Sequence, residues 1–298
     1  MQLGLISRSG EDASTRALTQ VAEARRHQVV LLDPREVVVS LRNGTLTLAS
    51  AVPALSGEPG WHGVDVLIHR YNHQRDVEHA GRVADAVAFT RGIPLINPGE
   101  AVTRASSKSQ LAELLTRAGV QQLPTYLLAG GGDPDLLAST VGLPVVVKQD
   151  RGAQGVGVYR ADTVEQLEAL LHRFADTGPL LAQPWEPYGS AVTTALVVDR
   201  EVVAVVTRTA PDGLWLATTS FGGRLVADAV ADDEHLAATA AAAAARLDLA
   251  AVELVRCPDG PVVLDVNPGP SLAEMVAVTG PGCLHAIVDA AERRVVAD

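Results

Sequence analysis

Cysteine is scarce in this 298-residue chain, and the two cysteines, Cys257 and Cys283, provide no disulfide framework. We therefore expect a reduced, cytoplasmic protein. Long apolar runs are also missing, so the sequence predicts no membrane-spanning helix and no membrane partner. The first residues carry charges at Arg8, Glu11 and Asp12, where a signal sequence would be apolar.

An excess of positive charge is absent as well. The net charge is −11 at pH 7, which argues against a nucleic acid as the main partner. It does not exclude a small phosphorylated ligand, because the electric field of a binding site is local. Apolar residues make up 47% of the sequence, so we expect a globular protein with enough core for two or three domains.

The N-terminal region lacks the glycine fingerprint of dinucleotide-binding domains. Ser7-Arg8-Ser9-Gly10 follows the first predicted strand where G-x-G-x-x-G would stand. Alternating strands and helices nevertheless predict an α/β domain with a parallel sheet, ending near Asn97-Pro98. Asn43-Gly44 predicts a hairpin within residues 37–51. The predicted strands are 2–7, 29–32, 64–68 and 94–96, and the predicted helices are 11–26 and 77–91.

Four histidines, His62, His69, His73 and His79, lie close together in this region. A metal site is one interpretation. Their spacing matches no common zinc pattern, so we favour scattered histidines on the surface or facing a substrate.

The rest of the chain mixes helices with antiparallel strands. Asp133-Pro134 is typical of a helix start, and Asp199-Arg200 joins two strands predicted to pair. We predict helices at 107–118, 135–139, 163–174, 232–247, 271–278 and 285–293, and strands at 123–128, 145–147, 156–159, 180–183, 195–198 and 202–208.

Glycines cluster between two of these strands. Lys148 ends the first strand, and Gly152, Gly155 and Gly157 follow it. Such a loop allows backbone N–H groups to approach phosphate oxygens, and the lysine would add a compact positive charge. The loop is not a P-loop, because no Gly-Lys-Ser/Thr leads into a helix. An ordinary glycine hairpin with a surface lysine is the alternative.

Two β-rich runs at 251–255 and 261–266 flank the turn-forming Cys-Pro-Asp-Gly, so we predict a hairpin there. An odd-length loop centred near Asp259 would place Glu253 opposite Asp265, with Asn267 on the same face. Carboxylates that face each other across strands repel, and a hard divalent cation would relieve the repulsion. A solvated hairpin whose charges never meet is the alternative.

Taken in order, these features resemble an ATP-grasp carboxylate–amine ligase, closest to the RimK-like glutamate ligases and their relatives in lysine biosynthesis. The resemblance covers most of the chain and is strongest at 95–160 and 245–272. The matching segments are LISRSG, INPGEAVTRASSK, LPVVVK, GAQGVGV, the LLAQ strand end, LVVDREVVAVVTR, FGG and VELVRCPDGPVVLDVNPGPSL.

The resemblance implies a fold of α/β and α+β domains. A pre-ATP-grasp α/β domain at 1–98 would precede two ATP-grasp subdomains, at 99–184 and 185–298, that clasp ATP between them. It further implies that Lys108, Lys148 and the glycine loop contact the nucleotide, and that the hinge after the LLAQ strand binds adenine through its backbone and ribose through Glu186. The implied nucleotide-binding residues are Lys108, Lys148, Gly152, Gln154, Gly155, Gly157, Gln183, Pro184, Trp185 and Glu186.

For the metal, the resemblance implies Mg²⁺, or Mn²⁺, held by Glu253, Asp265 and Asn267. The implied chemistry converts a carboxylate to an acyl phosphate with release of ADP, and an amine then displaces phosphate to form an amide. Arg208, and Arg70 from the first domain, would supply positive charge as catalytic residues. A homo-oligomer is also compatible with the resemblance.

Two segments depart from the family pattern. Val192-Thr193-Thr194 replaces an Asp-Ile-Arg-like segment, and residues 216–223 replace an Arg-x-Asn-x-x-Arg-Gly-Gly-like segment. Thr194, Thr218 and Ser220 would therefore form a smaller, less cationic pocket. We expect a ligase for a small amino-acid-like substrate in specialised metabolism such as antibiotic biosynthesis. The alternatives are a cyclo-ligase acting on one substrate, a non-catalytic ATP-binding relative, and a ligase that adds glutamate to a protein tail.

Overall fold

The computed structural model describes residues 1–8, 10, 12–43, 45–50, 64–71, 76–128, 131–152, 155–185 and 191–297. Three sheets follow one another along the chain, together with a two-stranded hairpin. Within these residues, every helix is too short or too polar to cross a membrane.

The first sheet is parallel, as the sequence predicted, and its strands lie in the order β2-β1-β5-β6. The Asp12 carboxylate begins α1 by accepting a hydrogen bond from the Thr15 N–H at 2.8 Å. The elements of this region are β1 (Gln2–Ile6), α1 (Ala13–Ala24), β2 (Gln28–Leu32), β3 (Val37–Arg42), β4 (Thr45–Ser50), β5 (Val64–His69), α2 (Val77–Arg91) and β6 (Leu95–Ile96).

The second sheet is antiparallel, with the order β7-β10-β8-β9, and we call it the central sheet. Asp133 caps α5 as predicted, since its side chain accepts from the Asp135 and Leu136 N–H groups. The elements of this region are α3 (Gly99–Ala105), α4 (Lys108–Arg117), β7 (Tyr126–Leu128), α5 (Pro134–Val141), β8 (Val145–Gln149), β9 (Val158–Ala161), α6 (Val164–Arg173) and β10 (Leu180–Pro184).

Helix α3 is missing from the sequence prediction, and its start explains why. The cap of α3 comes from α2, where the Asp85 carboxylate accepts from the Gly99 N–H at 2.6 Å and the Glu100 N–H at 3.0 Å. A cap supplied by a distant residue leaves no local sequence signal.

The third sheet, the C-terminal sheet, has the order β13-β12-β11-β14-β15, and its strands are antiparallel. The predicted pairing of β11 with β12 is confirmed. The elements of this region are β11 (Ala191–Val198), β12 (Glu201–Thr209), β13 (Arg224–Ala227), α7 (Asp232–Ala244), β14 (Leu249–Cys257), β15 (Gly260–Asn267), α8 (Leu272–Thr279) and α9 (Gly282–Ala297).

Helices on both faces of the C-terminal sheet tie it to the other regions. Helices α3, α4 and α7 pack in one apolar core with one face of the sheet. Helices α8 and α9 cover part of the other face and share a core with β1, β5 and α1 of the first sheet. The three sheets lie within the three predicted domain ranges, and these helices link the regions. The domain boundaries themselves remain predictions.

Candidate active site

A cavity of about 550 Å³ lies between the central sheet and the C-terminal sheet. The chain contains only two lysines, Lys108 and Lys148, and both line this cavity. The predicted nucleotide and metal residues that the structure describes line it too, namely Gly152, Gly155, Gln183, Pro184, Trp185, Glu253, Asp265 and Asn267. Gly157 adjoins these lining residues in the loop, and the predicted Gln154 and Glu186 lie outside the described residues.

Lys108 reaches the cavity from the first turn of α4. The Asp150 carboxylate holds this turn in place by accepting from the Ser109 N–H at 2.8 Å and from the Ser107 hydroxyl at 2.9 Å. The Lys108 ammonium donates to the Gly152 carbonyl at 3.0 Å and lies 3.8 Å from the Asp265 carboxylate. Lys108 therefore connects the start of the glycine loop with the acidic wall opposite.

Lys148 lies on β8, and the pKa of its ammonium group is lowered to about 8, chiefly because burial disfavours the charged form. The positive charge of Lys108 lowers this pKa further, whereas the carboxylates of Asp265 and Glu253 raise it. A bound polyanion would favour the protonated form in the same way as these carboxylates.

Glu253 and Asp265 are directly opposed on β14 and β15, as predicted, but the predicted loop was wrong. Cys257 pairs with Gly260, so the turn has two residues, and a register shift after Glu253 leaves Leu264 as the extra residue. This bulge restores the pairing that the odd-length loop was expected to give.

Four neighbouring strands, β12, β11, β14 and β15, contribute to the acidic wall and its contacts. Thr194 on β11 pairs with Glu253, and Arg208 on β12 donates to both the Thr194 hydroxyl, at 3.3 Å, and the Glu253 carboxylate. The Asn267 side-chain oxygen accepts from the Gly269 N–H at 2.9 Å. Predicted residues from separate segments thus converge on one face of the C-terminal sheet.

Two glycines of the loop are required by close contacts. A Cβ on Gly157 would lie 2.5 Å from the Gln149 side chain, and Gly157 has a left-handed φ of +78°. A Cβ on Gly152 would lie 2.7 Å from the Val156 carbonyl oxygen. The backbone here therefore runs where a side chain cannot be accommodated.

The hinge between the two sheets contains Pro184 and Trp185. Pro184 has no N–H, and the Trp185 N–H donates to the Pro144 carbonyl at 3.0 Å. The Arg160 guanidinium stacks on the Trp185 ring, 3.7 Å from its centroid, which holds the ring at the cavity edge. Arg160 was missed by the sequence analysis, because nothing in its local pattern distinguishes it from other strand arginines.

Arg70 is buried beside the turn that follows β15 and is not among the described residues that line the cavity. It donates to the Pro270 carbonyl at 2.9 Å and lies 3.8 Å from Asp12. Burial lowers the pKa of Arg70 to about 10, with Asp12 opposing the shift, so Arg70 remains a cation at neutral pH. Its catalytic role stays a prediction.

The four histidines form no cluster in the described structure. His69 is buried, and His79 Nε2 donates to the Pro34 carbonyl at 3.0 Å, whereas His62 and His73 lie outside the described residues. The described residues contain no group of three or more His, Cys, Asp or Glu side chains suited to a metal ion. The site on β14 and β15 differs from such a group because its third candidate ligand is an amide.

An apolar segment between β12 and β13 supplies a further wall, of which the sequence analysis placed only Thr218 in the pocket. The cavity is lined there by Gly213, Leu214, Trp215, Leu216, Ala217 and Thr218. Bulky apolar residues directly after the Pro-Asp-Gly turn were the available signal. Of the three residues predicted to form a neutral pocket, Thr218 is buried and lines the cavity, whereas Thr194 and Ser220 are not among the described lining residues.

Comparison with known proteins places this chain in a family. The RimK-like ATP-grasp domain matches residues 105–290. A probable alpha-L-glutamate ligase of Klebsiella pneumoniae is 32% identical over 285 residues, covering 94% of this chain and 92% of the relative. A probable alpha-L-glutamate ligase of Aeromonas salmonicida is 28% identical over 303 residues, covering 97% of this chain and 95% of the relative.

Solved structures share the fold. The D-cycloserine synthetase DcsG superposes with a TM-score of 0.70 at 23% identity, covering 99% of this chain and 100% of that one. A D-alanine–D-alanine ligase from Bacillus anthracis in complex with ATP has a TM-score of 0.70 at 13% identity, covering 100% and 98%. The predicted ATP-grasp fold is thereby confirmed. The chain belongs to the RimK-like ATP-grasp family and is an ATP-dependent ligase that forms carbon–nitrogen bonds with release of ADP.

Proposed function

We propose that the chain activates the carboxylate of a small amino-acid-like substrate as an acyl phosphate and couples it to an amine. One observation carries the proposal: the only two lysines of the chain face the carboxylates of β14 and β15 across one cavity. Opposed cationic and acidic walls suit a nucleotide triphosphate with its divalent cation.

The lysines and the glycine loop form the proposed phosphate site. Lys108 and Lys148 would neutralise phosphate oxygens, and the loop backbone beside Gly152 can approach them without steric hindrance from a side chain. The base would lie toward Gln183 and Trp185 at the other end of the cavity. This assignment follows the family pattern and agrees with the convergence of these residues on one cavity.

The donor set on the hairpin fits Mg²⁺ or Mn²⁺. Glu253, Asp265 and Asn267 offer carboxylate and amide oxygens on paired strands, and hard cations prefer such ligands. When bound, the cation would offset negative charge on the transferring phosphoryl group. Without it, Arg208 and Lys108 compensate the two carboxylates.

The proposed reaction has two steps. A carboxylate oxygen of the substrate attacks the γ-phosphorus, the bond to the bridging oxygen breaks, and ADP leaves. The amine nitrogen then attacks the acyl carbon, loses a proton, and displaces inorganic phosphate to leave an amide. The lysines and Arg208 bind and orient the anionic groups, and the wall at 213–218 excludes water from the acyl phosphate.

The neutral wall favours a small substrate with little additional negative charge. The cations among the described lining residues are Lys108, Lys148, Arg160 and Arg208. Arg208 contacts Glu253, Arg160 contacts Asp162, and Lys108 contacts the hairpin. The relatives named as glutamate ligases therefore identify the reaction class better than they identify the substrate of this chain.

Intramolecular ring closure is a second candidate, and the same observation favours it. Among the described lining cations, Lys108 and Lys148 are assigned to the phosphates and Arg160 pairs with Asp162, so only Arg208 is left as a cation for the carboxylate of a second amino acid. A substrate that carries both the carboxylate and the nucleophile would not need one. A solved structural neighbour is named a D-cycloserine synthetase, which makes this chemistry worth testing in the same assay.

The test is ADP release by the purified chain with ATP, Mg²⁺ and a panel of amino acids and amino-acid derivatives, singly and in pairs. We expect substrate-dependent ADP release, with product masses determined by mass spectrometry. A product one water lighter than the sum of two substrates indicates coupling, and loss of water from one substrate indicates ring closure. ATP binding without ADP release from any substrate, including glutamate and protein acceptors, would contradict the proposal.

A further inference from the structure

The C-terminal sheet becomes apolar where it reaches the end of the cavity beyond the acidic wall. β11 pairs with β14 through Thr194 and Glu253. Val192 and Val255 lie two positions further along these antiparallel strands, and because side chains alternate along a strand, they share the face of that pair. Both valines line the cavity. The sheet therefore presents an apolar surface next to its carboxylates.

The cation beside these valines directs its charge away from them. Arg208 pairs with Val192 across β12 and β11, but its guanidinium donates to the Thr194 hydroxyl at 3.3 Å and to the Glu253 carboxylate. The proposed reaction already uses Arg208 to orient anionic groups. A further carboxylate beside Val192 would therefore lack a positive partner among the described lining residues, and burying it would be costly.

The apolar segment at 213–218 lies at the same end of the sheet. It follows β12, which ends at Thr209, and the chain rejoins the sheet at Arg224, which pairs with Thr209. On its other side Thr209 pairs with Ala191, the neighbour of Val192. The segment thus leaves and re-enters the sheet beside the apolar surface of β11.

Backbone hydrogen bonds hold this segment in place. The Leu214 N–H donates to the Pro211 carbonyl at 3.0 Å, and the Thr218 carbonyl accepts from the Gly223 N–H at 2.9 Å. A Cβ on Gly223 would lie 2.7 Å from the Thr218 carbonyl oxygen, so the close return of the chain requires glycine. Residues 213–223 contain no charged side chain. The segment is therefore a fixed, uncharged wall.

We infer that the substrate whose carboxylate is phosphorylated carries an apolar side chain, which packs against Trp215, Leu216 and Val192. The inference rests on the proposed function and specifies its substrate class. An apolar side chain is stabilised by leaving water for a surface of this kind. An acidic side chain of the same shape would lose its hydration and find no positive partner there. Trp215 and Leu216 are thus the residues that determine specificity.

The first experiment compares amino acids whose side chains have the same shape but differ in polarity, namely homoleucine, glutamine and glutamate. Alanine, valine, leucine, serine and aspartate extend the comparison to smaller side chains. Hydroxylamine serves as the amine in each assay, because its nitrogen attacks the acyl carbon, loses a proton and displaces phosphate to give a hydroxamate. We expect kcat/KM for ADP release to be about 100-fold higher with the best apolar amino acid than with glutamate.

Two variants test the wall itself. Leu216→Arg should raise kcat/KM for glutamate relative to homoleucine about tenfold, because the guanidinium can pair with the side-chain carboxylate. Trp215→Ala should raise the KM for the preferred apolar amino acid about tenfold and leave the KM for ATP unchanged. Leu136→Arg is the matched control, since it makes the same charge change on α5 at a residue that is 64% exposed and is not among the described lining residues. It should keep the parent preference.

A polar or acidic amino acid with a higher kcat/KM than every apolar one would overturn the inference while leaving the ligase proposal intact. Absence of substrate-dependent ADP release with every amino acid and derivative would instead contradict the proposed function. Thermal unfolding of each variant identifies any loss of fold. The comparison of amino acids with the parent chain requires no substitution, so it decides the question even if neither wall variant folds.

Discussion

Two buried amide side chains, Asn97 and Gln183, have opposite hydrogen-bonding situations. Asn97 lies at the junction after the first sheet, where its nitrogen donates to the Leu249 and Pro268 carbonyls and its oxygen accepts from the Asp248 and Leu249 N–H groups. Gln183 lines the cavity, and within the described part of the chain only its nitrogen has a partner. A buried polar group that the protein satisfies completely holds the fold together, whereas one that it leaves incomplete on a cavity wall is available for a ligand.

The polar contacts of the two regions differ in the same sense. At the junction, Asn97 connects β6 to the start of β14 and to the turn after β15, so it fixes the hairpin relative to the first sheet. In the cavity, Lys108 and Asp265 remain 3.8 Å apart, at the outer limit of an ion pair. The junction is thus held by hydrogen bonds of a neutral amide, and the cavity by charged side chains that can be redistributed around a ligand.

The largest expected effect comes from changing the acidic wall. Asp265→Asn should reduce kcat by about 1000-fold, because an amide cannot supply the negative charge that the proposed cation requires. The fold should persist, since the Asp265 contact to the Val266 N–H at 2.9 Å needs only an acceptor. Steady-state ADP release and thermal unfolding measure the two properties.

Asp259→Asn is the matched control, because Asp259 occupies the exposed turn of the same hairpin. It should retain the parent rate. Full activity in Asp265→Asn would remove Asp265 from the proposed metal site.

A substitution at the junction should have the opposite kind of effect, because it should lower the stability of the fold. Asn97→Ala would leave two N–H groups and two carbonyls unpaired and should lower the free energy of unfolding by about 3 kcal/mol. Part of the cost arises from its left-handed backbone, with a φ of 60°, which alanine tolerates poorly. Denaturant unfolding of the nucleotide-free protein gives the value.

Asn43→Ala separates these contributions, because Asn43 has a φ of 49° in an exposed turn. We expect it to cost much less than Asn97→Ala. Equal losses in the two variants would show that backbone strain, and not the buried amide, accounts for the effect.

The smallest effect concerns His69, which is buried beside this junction near the Asn97 backbone. Burial lowers the pKa of His69 to about 4. Between about pH 6.5 and pH 4, the unfolded chain binds a proton that the folded chain excludes, so stability falls as the pH falls.

His69→Phe should reduce the loss of unfolding free energy between pH 7 and pH 5 by about 2 kcal/mol. Denaturant unfolding at the two pH values measures this difference. His172→Phe, at an exposed position on α6, should retain the pH dependence of the parent. If the unfolding free energy of His69→Phe depended on pH as steeply as that of the parent, His69 would be protonated in the folded parent.

Much of the fold could be predicted from local patterns. The first parallel sheet, the Asn43-Gly44 hairpin and the cap at Asp133 follow from apolar periodicity and turn residues. Helix α3 could not be predicted, because its cap is Asp85 from another helix. The predicted hairpin loop was wrong because a bulge at Leu264 compensates for a shorter turn, and no local signal marks a bulge at a leucine.

The candidate site also has one part that could be predicted from the sequence and another that could not. The sequence by itself determined the residue types of the chemistry: two lysines, a glycine loop, and carboxylate and amide groups on a hairpin, all with recognisable neighbours along the chain. Only the tertiary structure decided that Arg208 contacts Glu253, that an apolar segment lines the cavity, and that Thr125 orients Gln183. Those contacts join residues far apart in sequence, so their geometry depends on how strands pair within each sheet and, for the cavity, on how the two sheets lie against each other.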